Sequence, residues 1–182
     1  MGFIQRLRVL WMRPAAVAAD GAGEPLVEST ERRGRDRRNA LPGTRMLVID
    51  DSATIVALLR RMLRQNEYTT LEAGDAEAGV ELARSELPDL IFLDIVLPGM
   101  NGFSALRLLR RDAATRHIPI IMISGNEQAT EEFYVARIGA DDFMKKPFSR
   151  AEVFARIERL LDADRVPRRI PASTVVVDGV DP

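Results

Sequence analysis

Five side chains in this sequence combine into one chemistry: Asp50, Asp51, Asp94, Ser124 and Lys146. Each stands just past a short apolar run. Taken singly, each has a plain role. Asp51 or Ser52 caps a helix, Asp94 opens a turn ahead of Pro98–Gly99, Ser124–Gly125 makes a turn, and Lys146 is a solvated cation. Together they demand more. Three carboxylates brought to one place repel one another, and burying them unpaired is costly. Something positive must sit among them. Oxygen donors favour a hard divalent cation, and a site with few carboxylates and open positions suits Mg²⁺. Lys146 supplies a second, fixed positive charge. A cation, a lysine and a hydroxyl around one carboxylate make a phosphoryl-transfer site. The metal and lysine neutralise the phosphoryl oxygens, the hydroxyl donates to one of them, and the carboxylate attacks. The chain has only two lysines, Lys145 and Lys146, in a total of 26 basic residues. A lysine kept in an arginine-rich background is kept for its compact ammonium, which a guanidinium does not imitate. The alternative phosphate cradle, a Gly-rich loop, is missing. The loop Asp51-Ser52-Ala53-Thr54 is acidic and repels phosphate unless a metal intervenes.

The elements that must position these residues follow from periodicity. Met46–Ile49, Tyr68–Leu71, Leu90–Leu93, Ile118–Ile123 and Asp142–Met144 read as strands. Helical spacing predicts helices over Ser52–Gln65, Ala76–Arg84, Phe103–Arg110, Glu127–Ile138 and Ala151–Leu161. In the first of these, Ile55, Leu58, Leu59, Met62 and Leu63 fall on one side. Strands alternating with helices, several of them continuously apolar, make an α/β fold with a parallel sheet covered on both faces. In such a sheet ligands bind at the carboxyl ends of the strands, where the strand order reverses. The five chemical residues all fall at that edge.

The chain has 182 residues, 46% of them hydrophobic, so it can bury a core. A net charge of −1 gives no global field for nucleic acid or membrane. No cysteine is present, which excludes disulfides, thiolate metal sites and cysteine nucleophiles. No apolar run reaches membrane-spanning length, and the N-terminal run is broken by Arg6 and Arg8, so the expectation is a cytoplasmic protein. Residues 1–44 read as a basic, solvated arm. It carries an amphipathic spacing of Phe3, Ile4, Leu7, Leu10 and Trp11, so residues 1–13 are a candidate partner or membrane contact. Residues 45–162 form the domain, and 163–182 read as a short flexible tail.

With these residues in place, the sequence resembles bacterial response-regulator receiver domains across about 45–162. The matching stretches are Val48–Ser52, Leu93-Asp94-Ile95-Val96-Leu97-Pro98-Gly99-Met100-Asn101-Gly102, Ile121–Gly125 and Gly139–Phe148. The resemblance implies a doubly wound, flavodoxin-like five-stranded parallel sheet of order 2-1-3-4-5. It implies that Asp94 is the phosphoacceptor. Asp51, Asp94 and the backbone carbonyl of Val96 would bind Mg²⁺, and Asp50 would help through water. Ser124 and Lys146 would bind the phosphoryl group, with the bond from Lys146 to Pro147 cis. Ser124 and Phe143 would form the switch. Val96 and Asn126 stand where the family tunes hydrolysis of the acyl phosphate. Val96 cannot orient a water and Asn126 can, so autodephosphorylation is expected to be moderately slow.

The resemblance further implies a two-component signalling switch fed by a sensor histidine kinase or phosphotransfer protein. It would catalyse only its own phosphorylation and dephosphorylation. Nothing after residue 162 is long enough for a DNA-binding domain, so direct DNA binding is not expected and output runs through contact with an effector protein. The stretches Pro119–Ser124 and Lys146–Ser149 resemble single-domain regulators of chemotaxis and twitching motility. Competing readings are a phosphorelay shuttle or phosphate sink, a non-phosphorylated interaction module, a flavodoxin-like cofactor binder, and a cyclic dinucleotide site at Arg33–Arg37. The acidic first loop argues against the cofactor binder, and the intact set of five residues argues against the interaction module. His117, the only histidine, reads as a solvated loop residue.

Overall fold

A computed structural model describes residues 38–125 and 139–169. The described strands are β1 (Arg45–Ile49), β2 (Thr69–Ala73), β3 (Leu90–Asp94), β4 (Ile120–Ser124) and β5 (Asp142–Lys145). The described helices are α1 (Ala53–Arg64), α2 (Ala76–Glu86), α3 (Gly102–Arg111) and α4 (Arg150–Arg159). The five strands form one parallel sheet of order β2-β1-β3-β4-β5. This is the α/β architecture and strand order that the sequence implied. The helix expected over 127–138, Asn126, residues 1–37 with their amphipathic and arginine-rich stretches, and 170–182 lie outside the described residues.

Burial explains the elements. β3 and β4 are buried at every position, as strands covered on both faces must be. β2 lies at the sheet edge, and only Ala73 at its end is buried. One face of the sheet packs Val80 and Ala83 of α2 and Ala105, Leu106 and Leu109 of α3 against Leu47, Ile91 and Met122. The other packs Leu59 and Leu63 of α1 and Val153, Phe154 and Ile157 of α4 against Val48, Phe92 and Ile121. Leu58 does not join that core: it is 37% exposed, because the buried stripe of α1 runs through Ile55, Leu59, Met62 and Leu63. Side-chain caps start the helices: Ser52 accepts from Ile55 N–H, Asp75 from Ala78, Asn101 from Ser104 and Ser149 from Glu152.

The described flanking residues, 38–44 and 163–169, contact the domain. Ala40 is buried in the α1–α4 core, and Arg38 donates to Glu158, Asp162 and Ala163. After α4 the chain turns back on itself, with Leu161 bridging Pro167 in antiparallel fashion and Arg168 N–H donating to Leu160 O at 2.7 Å.

Candidate functional site

The chain enters the sheet at β1, adds β2 on one side and β3 on the other. The strand order therefore reverses between β1 and β3. Loops leaving the carboxyl ends of these two strands diverge there and leave a crevice. Asp50 and Asp51 follow β1, and Asp94 ends β3. One carboxylate oxygen from each lies within 4.8 Å of the others. Ser124 ends β4 and Lys146 follows β5. Asp50, Asp94 and Ser124 are buried, while Asp51 is exposed.

Lys146 ties the cluster together. Its Nζ donates to Asp94 Oδ2 at 2.8 Å and lies 2.8 Å from Asp50 Oδ2. Asp50 Oδ1 accepts the Ser52 N–H at 2.9 Å; its buried Oδ2 has the ion pair but no aligned hydrogen bond. Asp94 Oδ1 accepts the Val96 N–H at 3.4 Å. The backbone fixes Lys146 as well, since its N–H donates to Ser124 O at 2.7 Å. The bond from Lys146 to Pro147 is cis, as the resemblance implied.

Electrostatics follow from this geometry. Burial pushes the Asp94 carboxyl above its ordinary range, and Lys146 offsets this only in part. Burial works against the Lys146 ammonium, but the bonds and charges of Asp50 and Asp94 outweigh it and raise its pKa. Three carboxylates thus face one ammonium. A hard divalent cation fits this set, because the donors are all oxygens and Asp51 opens the cluster to solvent.

Two features escaped the sequence reading. Gly102 presses on the backbone of Asp94, and Glu77 of α2 accepts the Met100 N–H at 3.2 Å, fixing the loop after β3. A glycine at a helix start and a glutamate in a first helical turn carry no sequence signal of such contacts. Val96 projects into solvent, 65% exposed, and Phe143 is buried beside β4.

Residues 46–158 match the family model for the response regulator receiver domain. This chain belongs to that family. The receiver is 39% identical to Protein PilH of Pseudomonas aeruginosa over 117 residues, which span 64% of this chain and 97% of PilH. It is 38% identical to the phosphate regulon transcriptional regulatory protein PhoB of Klebsiella pneumoniae, over 64% of this chain and 51% of PhoB. The chain therefore spans nearly all of the first relative and about half of the second. Among solved structures it is similar to the receiver domain of a sensor histidine kinase of Pseudomonas aeruginosa with a magnesium ion in its active-site cleft. That likeness has a TM-score of 0.59 and 30% identity, over 64% of this chain and 95% of that one. Receivers are signalling switches of two-component systems rather than enzymes in the ordinary sense. Among the described residues, no helix is long and apolar enough to cross a membrane.

Proposed function

We propose that this receiver accepts a phosphoryl group on Asp94 from a phosphohistidine of a sensor kinase or phosphotransfer protein. The observation that carries this reading is Lys146 Nζ, 2.8 Å from both Asp94 and Asp50 within a three-carboxylate cluster.

Asp51, Asp94 and the Val96 carbonyl would hold Mg²⁺, with Asp50 supporting it through water. When bound there, the ion would supply positive charge to neutralise the transferring phosphoryl oxygens. A carboxylate oxygen of Asp94 attacks phosphorus in line. The O–P bond forms as the P–N bond to the donor histidine breaks, and the imidazole leaves with the bonding electron pair. Lys146 Nζ and the Ser124 hydroxyl then bind the phosphoryl oxygens. The new group adds about −1.5 to −2 charge, if the acyl phosphate ionises like other phosphomonoesters. Ser124 and Lys146 end β4 and follow β5. Drawing both toward that charge repacks these strands and Phe143, a two-state shift biased by charge-assisted bonds.

Output runs through contact with an effector protein. The resemblance to motility and chemotaxis regulators supports a role in that kind of pathway, with a kinase partner in the cytoplasm.

Incubation with a small phosphodonor, with and without Mg²⁺, tests the reading by intact mass. The expected result is a Mg²⁺-dependent gain of one phosphoryl group, absent in Asp94→Ala. No gain from the phosphodonor or from a candidate kinase would replace the switch with an interaction module.

A further inference from the structure

The end of the sheet opposite Asp94 holds a second charge cluster that phosphoryl transfer does not use. Asp141, just before β5, has a side chain only 1% exposed. Its Oδ2 accepts the Ile120 N–H at 2.8 Å and Arg110 at 2.6 Å, and its Oδ1 accepts Arg169 Nε at 3.0 Å. Both guanidiniums also bind the surrounding loops. Arg110 donates to Gly139 O and Ile118 O, each at 2.7 Å. Arg169 donates to Arg116 O at 3.2 Å and to Gly139 O at 3.5 Å.

Arg110 belongs to α3, but Arg169 belongs to the segment after α4. That segment is a hairpin with its own bonds. Asp162 N–H donates to Val166 O, and Asp162 Oδ1 accepts the N–H groups of Asp164 and Val166, at 2.9 Å each. Asp162 Oδ2 pairs with Arg168. From the other flank, the Arg38 guanidinium donates to Asp162 O at 2.7 Å.

We infer that residues 160–169 form a strap that docks through Arg169 on Asp141 and is released when the phosphoacceptor site is occupied. The inference rests on the receiver reading above. Asp141 joins the foot of β5 to the first residue of β4. These are the two strands whose upper ends carry Ser124 and Lys146. An event that draws those upper ends toward Asp94 acts on the strands that the strap grips below. Arg169 grips this strand pair while Lys146 is held by Asp50 and Asp94, so a β4–β5 pair repacked by movement of Lys146 and Ser124 holds the strap less well.

The strap is built to let go. Leu160 and Leu161 anchor its start on the α1–α4 core, but beyond them Pro167 is its only buried residue, and the Arg168 side chain is 64% exposed. A segment with few apolar contacts and solvent-facing hydrogen bonds opens locally, well below the cost of global unfolding. Asp141 is not orphaned on release, because Arg110 and the Ile120 N–H remain. Linkage then requires reciprocity. Whatever occupancy does to strap docking, the docked strap does to occupancy by the same factor, so loss of the strap favours occupancy.

Hydrogen exchange of the full chain, read by mass spectrometry over residues 160–169, tests this with Mg²⁺ and beryllofluoride as the phosphoryl probe. Bound probe is expected to speed exchange there at least about fivefold. Arg169→Ala is expected to speed it without the probe and to tighten beryllofluoride binding. Arg169→Lys, which keeps a cation on Asp141, is expected to fall between. Bound probe with unchanged or slower strap exchange would overturn the coupling while leaving the receiver intact. Failure of both beryllofluoride and a small phosphodonor to react with the site would overturn the receiver reading, and the coupling with it.

Discussion

Gly102 and Asp94 meet backbone to backbone: a β-carbon at position 102 would lie 2.0 Å from the Asp94 carbonyl oxygen. The Gly102 N–H also donates to Ile95 O at 3.0 Å. The start of α3 is therefore seated on the end of β3, and the loop between them has one path. Gly102→Ala forces α3 or the Asp94 backbone to shift, at a cost of about 1–3 kcal/mol. Thermal unfolding measures that cost. Phosphodonor reactivity at a temperature where the variant is fully folded measures displacement of Asp94, and is expected to drop well below wild type. Full reactivity in a folded variant would show that the contact is not needed to aim the carboxylate.

Asp94 itself is expected to reduce the stability of the metal-free protein. Burial holds its folded-state pKa above the ordinary value found in the unfolded chain. Between those two values the folded protein binds more protons than the unfolded one, so stability falls as pH rises through the window. Above it, at neutral pH, the full penalty is present. Asp94→Asn removes the ionised group, so in chelator the variant unfolds at a higher temperature than wild type at pH 7, and the difference narrows on acidification. Mg²⁺ then stabilises wild type in proportion to its binding and leaves the variant unmoved. A variant less stable than wild type at pH 7 in chelator would contradict this assignment.

Much of this was legible because the chemistry sits where the strands end. Leu90–Leu93 and Ile120–Ile123 are apolar without interruption, so their burial and the polar residues that follow them stand out in sequence. Boundaries were less legible where burial and pairing part company. Ile118 is buried and apolar, yet it precedes the ladder, its N–H bonded to Thr115 O within a turn; β4 begins two residues later. Tyr68 is buried, but its N–H donates to Leu63 O, and β2 starts at Thr69 and runs through the polar Glu72. The Arg110–Asp141–Arg169 cluster was invisible. One buried guanidinium in an arginine-rich chain looks like any other, and nothing near Asp162 announces a hairpin.

The lifetime of the acyl phosphate is the next expectation. Val96 stands beside Asp94, 65% exposed, and offers no polar side-chain atom to orient an attacking water. Hydrolysis without a phosphatase is therefore expected to take minutes or longer. Val96→Asn, which puts an amide at this exposed position, is expected to shorten the lifetime several-fold with little effect on stability. Decay of the phosphorylated mass with time measures both. A wild-type lifetime of a few seconds would mean that another group positions the water.

The two arginines on Asp141 should prove strongly non-additive. Burial lowers the Arg110 pKa to about 10, against the opposing pull of Asp141, so its charge is complete at neutral pH. Arg110→Met keeps much of the side chain's bulk and leaves Asp141 with Arg169 and the Ile120 N–H. Arg169→Ala leaves it with Arg110 and the same N–H. Each single change removes charge-assisted bonds, at about 1.5–3 kcal/mol. The double variant leaves a buried carboxylate with one backbone donor, and the loss of its last cation adds the penalty of an uncompensated buried charge. Urea unfolding at pH 7 is therefore expected to show a double-variant cost above the sum of the singles by about 0.5–3 kcal/mol. Simple additivity would mean that water reaches Asp141 once either arginine is gone, and that neither guanidinium backs up the other.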